Sequence, residues 1–533
     1  MDSEKLRRTL FGSGVFLIAV SIAYILLILI RVNPWAYSDS VEYMAAARSF
    51  ALGKGLVITA PSGGMMPVSL HPPLYSLLLA PAYLLNLSPF VWIKYLNALM
   101  LVVGIIYWGI CIYRFLGSAA LGLICSALLG YSLPILKDFN GSMSEPLYIL
   151  LTLLQIGILT TFLNRKTSLL YWSLILVSAL LPLTRYIGVI NIAVGFLAIL
   201  LWLREEKGIR IKKAVIYAFF SVLPIAIWLL KIAFRNGSDA PWRLQLDNSL
   251  KYLFYKIFST ILNLFPGVAG MSWSTMKILL GIIACMFLIG TVVFFYLLKR
   301  DKINGTPIES GNILLIISAI FCVGYVLFLL LTSFTATRPD INDRMMSPLL
   351  PFIIVVVLGG IYQIFKKASL HPVIKCVPLF LGLVLLIADV RPIQAYIFYR
   401  NTDEFSYSSL EWESSPLQRA IKSLPEDQPL ISNEAPVILL YTNRFPYEMS
   451  VFKDSQKVSI PAPFGSGATI EEDIFRNGGA LVVFKSSFKG NLIKIYGDQG
   501  IQLSSDLLNG LYKACDYQDG AIYFYEPYHM YCP

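Results

Sequence analysis

Two short acidic segments carry the side chains best suited to chemistry. In Asp39-Ser40-Val41-Glu42-Tyr43, helical spacing puts Asp39, Glu42 and Tyr43 on one face. The second segment is Ser142-Met143-Ser144-Glu145-Pro146. Each also reads as a helix start, because Asp39 with Glu42, and Ser142 with Glu145, have capping-box spacing. Capping and chemistry are compatible, since a capping carboxylate keeps a second oxygen. At a helix start the dipole favours the ionised form that a general base or a metal ligand needs.

Basic side chains that could serve such carboxylates, or hold a phosphate, are Lys54 and His71 near the first segment, Arg185, and the pair Arg338 and Arg344. A guanidinium presents a planar fork of donors that fits phosphate oxygens. Each has a plainer reading. Arg338 and Arg344 could pair with Asp340 and Asp343 or with lipid headgroups, Arg185 could extend to the membrane interface, and Lys54 and His71 could be solvated loop residues. There is no His-x-x-x-His or Cys-x-x-Cys metal motif. A divalent metal shared by Asp39 and Glu145 stays open.

The elements that would position these residues are apolar helices. Of 533 residues, 56% are hydrophobic and only 14% charged, well below the roughly 25% charged of a soluble domain. Charge-poor stretches at 11–30, 95–113, 115–136, 146–164, 167–184, 186–203, 214–230, 278–298, 311–333, 345–365 and 373–388 predict eleven membrane spans. The net charge of +11 gathers between spans, in a pattern that reports topology and not nucleic-acid binding. Lys5, Arg7 and Arg8, Arg114, Arg165 and Lys166, Arg204 to Lys213, Lys299 to Lys302, and Lys366 and Lys367 fall on one side if every span crosses once. That side is the cytoplasm by the positive-inside rule. The N-terminus is then cytoplasmic, and an odd number of spans leaves the C-terminus outside. The first span is read as uncleaved, because no small-residue cleavage site follows it.

This topology places the acidic segments at the outer face and leaves two regions outside. The first outer loop, 31–90, is broken by Gly and Pro and closes with a short apolar stretch, Leu74 to Leu87, read as an interfacial helix. Residues 395–533 are richer in polar side chains. Short apolar runs at Pro429–Ser432, Val437–Tyr441, Ala480–Phe484 and Ala521–Tyr525, with helical patterns near 410–423 and 468–476, predict a small α/β domain. The domain division expected is 1–394 and 395–533. Cys111, Cys125, Cys285, Cys322 and Cys376 lie in or beside spans, whereas Cys515 and Cys532 are alone in the outer domain. The turn signal Gln518-Asp519-Gly520 and the strand-like run after it could bring 532 back to 515, so a Cys515–Cys532 disulfide is expected.

Asp39 after the first span, His71-Pro72-Pro73-Leu74-Tyr75, Ser144-Glu145-Pro146-Leu147, Thr184-Arg185-Tyr186, and Arg344 before Ser347-Pro348 and Pro351 occur in a fixed order. Together they resemble the GT-C class of membrane glycosyltransferases, in particular the protein O-mannosyltransferase-like enzymes that include the aminoarabinose transferases of lipid A. The likeness in layout covers about residues 10–390. Pro429–Arg444 is similar to the C-terminal domain of bacterial members. The resemblance implies a bundle of eleven to thirteen helices, a sugar donor on polyprenyl phosphate, and an acceptor outside the cytoplasm that is a lipid, a glycan or a protein. It also implies Asp39 as the base, Glu145 as a second acidic position, and Glu42, Tyr43, Lys54, His71, Arg185, Arg338 and Arg344 as substrate-binding residues. Protein mannosyltransferases carry adjacent Asp and Glu where this chain has Asp39-Ser40, which speaks against a protein acceptor. One base suffices chemically, because a phosphate leaves without the proton that an alkoxide needs. The competing readings are a flippase or transporter for lipid-linked glycans, a non-catalytic scaffold, and a polymerase or ligase using a lipid diphosphate.

Overall fold

The computed structural model describes residues 3–59, 65–236, 250–265, 309–333, 341–367, 376–400, 406–448, 478–485 and 511–525. The chain divides into two compact units, Met1–Arg31 with Ile93–Asp403, and Val32–Trp92 with Glu404–Pro533. By contact, the first outer loop groups with the C-terminal segment.

The first unit is a helical bundle. Its helices are α1 (Ser3–Leu29), then, after α2 and α3 of the other unit, α4 (Pro89–Leu116), α5 (Ala119–Gly130), α6 (Leu133–Phe139), α7 (Glu145–Arg165), α8 (Ser168–Thr184), α9 (Val189–Trp202), α10 (Lys207–Asn236), α11 (Leu250–Asn263), α12 (Ser310–Thr332), α13 (Asp343–Lys367) and α14 (Val377–Arg400). Ten of the eleven expected spans coincide with these elements; the one at 278–298 lies outside the described residues. Seven described helices are long and apolar enough to cross a membrane, or eight if α5 and α6, bent by 55° at their joint, make one span. α8 and α9, with 17 and 14 residues, are shorter apolar helices. At 1.5 Å per residue they fall short of a core about 30 Å thick.

Inside the bundle, several polar side chains are paired with one another. Tyr148 donates to Oδ1 of Asn191 at 2.8 Å, Gln155 donates to the Asn191 carbonyl at 2.8 Å, and Tyr217 donates to Ser178 at 2.8 Å. These bonds lock α7, α8, α9 and α10 together where water cannot serve the groups.

The second unit begins with α2 (Ser38–Ala51), a hairpin of β1 (Val57–Thr59) and β2 (Met65–Pro67), and α3 (Leu74–Leu84). Val41, Ala45 and Ala46 of α2 pack with Ile58, Val68 and Leu439, the last of these from the C-terminal segment. Backbone ties reinforce that packing: Tyr407 N–H donates to the Ala36 carbonyl at 3.2 Å, and Asn33 donates to the Ser408 carbonyl at 3.0 Å.

The C-terminal segment adds α15 (Leu410–Ser414), α16 (Pro416–Ser423), β3 (Leu430–Ser432), α17 (Ala435–Thr442), β4 (Tyr447–Glu448), β5 (Ala480–Phe484), β6 (Leu511–Asp516) and β7 (Gly520–Tyr525). The sheet order is β4-β3-β5-β7-β6, with β3 parallel to both neighbours and β5, β7 and β6 antiparallel. Leu417 and Ile421 of α16 cover Val482, Phe484, Ile522 and Phe524. The run Val437–Tyr441, expected as a strand, is the helix α17. A short apolar run does not by itself distinguish the two states, and Pro436 at the first turn suits a helix start. Arg444 ties α16 to β3 by donating to the carbonyls of Ile421, Leu424 and Gln428 at 3.2, 3.3 and 2.6 Å. The helix expected at 468–476 lies outside the described residues.

Candidate functional site

In the helical unit, three of the singled-out residues meet. Glu145 is the first residue of α7, and its side chain has no exposed surface. Arg185 is ion-paired to its Oε1, and Arg344 Nε lies 3.0 Å from the same oxygen. The Ser142–Glu145 capping box is not formed. Ser144 holds the N-cap position, and Ser142 Oγ is buried without a hydrogen-bond partner. Arg185 and Arg344 both reach Glu145.

Local sequence explains why these three converge. Asn97 of α4 donates to the carbonyls of Phe139 and Gly141 at 2.8 and 2.9 Å, fixing the turn that precedes Glu145. Pro182 precedes the end of α8, Arg185 takes an extended conformation, and Tyr186–Gly188 forms a 3-10 turn into α9. That corner is tight: a Cβ on Gly188 would lie 2.4 Å from the Leu181 carbonyl carbon. Arg344 lies in the first turn of α13. There Asn342 Oδ1 accepts from Met345 N–H at 3.1 Å, and Tyr325 donates to the Met345 carbonyl at 2.7 Å.

A fourth charged residue joins them. Asp138, at the end of α6, is buried, is hydrogen-bonded to Ser347 Oγ, and has Glu145, Arg344 and Arg185 as electrostatic neighbours. Two carboxyl groups thus meet two guanidiniums. Asp138 was missed in the sequence reading. The available signal was a lone Asp at the end of a long apolar stretch, costly there unless paired.

In the second unit, Asp39 lies in the first turn of α2 and is half-buried. Ser40 Oγ accepts from Tyr37 N–H at 2.9 Å, so Ser40 does the capping assigned to Asp39 and Glu42. Ser38 Oγ donates to Asp39 Oδ1 at 3.5 Å. His71 is held between two residues of α2: its Nε2 is 3.4 Å from Glu42 Oε2, and its Nδ1 is 3.4 Å from the Tyr43 hydroxyl. The Tyr43 ring leans on His71 at 4.6 Å and meets Tyr75 edge-on at 4.9 Å. Lys54 is exposed in the turn after α2, between Gly53 and Gly55, whose positive φ of 75° and 84° suits glycine. Arg338 lies outside the described residues. Among the described residues no three His, Cys, Asp or Glu side chains gather in a way that could hold a metal ion.

In the sheet, Cys515 is disulfide-bonded; Cys532, its expected partner, lies outside the described residues. At the end of β6, Lys513 at 2.5 Å and Lys485 at 2.9 Å hydrogen-bond to Asp516 and hold its carboxyl below the usual carboxylate range.

No family model and no curated protein matches the sequence. Solved structures do match. ArnT from Cupriavidus metallidurans in the apo state superposes with a TM-score of 0.53 at 12% identity, over 96% of this chain and 98% of that one. The same protein bound to undecaprenyl phosphate gives a TM-score of 0.50 at 12% identity, over 98% of both chains. The chain has the ArnT fold. The ArnT-like match spans the bundle and the sheet alike, and with the long apolar helices it makes this an integral membrane protein with an ArnT-like fold.

Proposed function

We propose that this chain is a membrane glycosyltransferase that moves a sugar from a polyprenyl-phosphate-linked donor to an extracytoplasmic acceptor. The observation that carries this reading is a fold shared along nearly the whole chain with ArnT, one structure of which is bound to undecaprenyl phosphate. The buried pairing of two guanidiniums with Glu145 adds to it, since these are the groups suited to a phosphate leaving group.

In the proposed reaction an acceptor hydroxyl attacks the anomeric carbon from the face opposite the phosphate. The new carbon–oxygen bond forms as the bond from that carbon to the phosphate oxygen breaks. The electron pair leaves with polyprenyl phosphate, the acceptor proton passes to the Asp39 carboxylate, and the configuration inverts. Asp39 suits the base role because it lies in the first turn of a helix and its local capping is done by Ser40. Arg344, Arg185 and Arg338 serve the phosphate, with Glu145 holding the first two in place. Glu42, Tyr43, His71 and Lys54 bind substrate. The N-terminus is cytoplasmic, and the unit carrying Asp39 faces the other side.

The experiment is a reconstituted assay with a labelled sugar on polyprenyl phosphate. Transfer with inversion, and release of polyprenyl phosphate, are expected. Movement of intact donor across the bilayer without bond cleavage would replace this reading with a flippase.

A further inference from the structure

Ser347 Oγ lies within hydrogen-bonding distance of two oxygens. One is Oδ2 of Asp138, from α6, and the other is the Arg344 carbonyl, 3.0 Å away in the first turn of α13. A backbone carbonyl only accepts, and so does an ionised carboxylate. A hydroxyl has one proton, so Ser347 cannot donate to both. The Arg344 carbonyl has the stronger claim. In a continuing helix it would accept from the N–H four residues on, but that residue is Pro348, which has none. The Ser347 proton therefore goes to the Arg344 carbonyl, and a Ser347 lone pair is left facing Asp138 Oδ2.

Two oxygens in hydrogen-bonding contact need a proton between them, and here Asp138 must supply it. We infer that Asp138 is protonated and donates to Ser347, which donates in turn to the Arg344 carbonyl. Every contact in this chain then has its proton, and the chain ties α6 to the turn of α13 that carries Arg344.

The charged and titratable groups facing Asp138 are Glu145 at the start of α7, Arg185, Arg344, and Tyr325 of α12. Lys137, its neighbour in sequence, lies over the Tyr396 ring of α14 at 5.7 Å. Among Asp138, Glu145, Arg185 and Arg344, a protonated Asp138 leaves one negative charge against two positive ones. The guanidiniums then keep an attraction for an anion that a second carboxylate would cancel. Asp138 is thus a positioning residue. It acts on the Arg344 backbone through Ser347, and by staying uncharged it leaves the guanidiniums to a phosphate. That phosphate role rests on the glycosyl-transfer reading, whereas the proton on Asp138 does not.

The test is infrared difference spectroscopy of the full-length protein in detergent at neutral pH, parent minus Asp138→Asn. The difference should contain the carbonyl stretch of a protonated carboxyl group. Carboxylate stretches in its place would overturn the inference. Ser347→Ala removes the acceptor and should shift that stretch; a stretch unmoved in this variant would overturn the bridge. The phosphate role is read separately, as the preference for farnesyl phosphate over farnesol. The parent should prefer the phosphate. Asp138→Ala should lower that preference about tenfold, the order of one hydrogen bond, and Asp138→Asn, which restores a donor, should recover most of it. An ionised Asp138 gives the opposite sign: both variants would favour the phosphate more than the parent does, because each removes a negative charge, and that result would overturn the inference. A parent without any preference for the phosphate would overturn the phosphate role and with it the glycosyl-transfer reading, while the infrared difference still decides the proton.

Discussion

Arg344 Nε lies 3.0 Å from Oε1 of Glu145, a carboxylate with no exposed surface, and Arg185 is paired to the same oxygen. One buried anion thus fixes two guanidiniums that come from separate corners of the bundle. Removing a partner from a buried ion pair costs far more than the pair contributes, because the remaining charge is stranded.

Glu145→Ala is therefore expected to destabilise the protein by about 3 kcal/mol, the lower end of the range for buried pairs, since the Arg344 side chain is 30% exposed. Thermal unfolding in detergent checks this. A melting temperature unchanged from the parent would mean that the cluster does not hold the bundle.

Asp39→Asn should behave in the opposite way. Asp39 is half-buried and Ser40 does the local capping, so the fold should be kept. Loss of a general base should lower transfer by about 10²- to 10⁴-fold. Donor binding, measured separately by titration, should be unchanged. Transfer at the parent rate would remove Asp39 as the base.

Gly188→Ala places a methyl group 2.4 Å from the Leu181 carbonyl carbon. Overpacking of this kind costs about 1–3 kcal/mol. Because Gly188 lies three residues beyond Arg185, the variant should lose donor affinity along with stability. A variant with parental stability and affinity would show that the corner tolerates a wider turn.

Cys515 is bonded in a strand that ends the sheet. Cys532→Ser should release one titratable thiol at Cys515 and lower the unfolding temperature by an amount corresponding to about 3 kcal/mol. Mass spectrometry of a non-reduced digest reads the pairing directly. A Cys515 peptide joined to anything but the Cys532 peptide would disprove the expected connectivity.

Asp516 titrates lower in the folded chain because Lys513 and Lys485 hydrogen-bond to it. A depressed folded value means that stabilisation is present above the ordinary carboxylate range and is lost as pH falls through the folded value. Acid unfolding of Asp516→Asn should lack that step. An unchanged acid limb would mean that the two lysines hold the strand ends without coupling to the proton.

The helices were legible because apolar length is written in the chain, and Glu145, Arg185 and Arg344 were legible because charge is rare within it. What was not legible is what these groups do locally. Ser142 with Glu145 has capping-box spacing, yet Glu145 turns to two arginines from distant segments, and local spacing carries no record of those partners. Asp138 was missed for the same reason, since its partner Ser347 is 209 positions away. Helix against strand at Val437–Tyr441 was decided by packing on α2, as Leu439 shows. The break between α8 and α9 falls at Arg185–Gly188, where the two predicted spans also meet.

The second unit is made from two stretches of chain with roughly 310 residues between them. During synthesis residues 32–92 emerge early, while Tyr407, Leu439 and Phe445, which complete the cluster around Val41 and Ala46, come last. At about 5–20 residues per second the wait is on the order of 15–60 s. Over that interval the apolar side of α2 lacks the residues that complete its cluster. A chain cut short before Ser406 would keep the described helices of the bundle and leave the cluster on α2 unfinished.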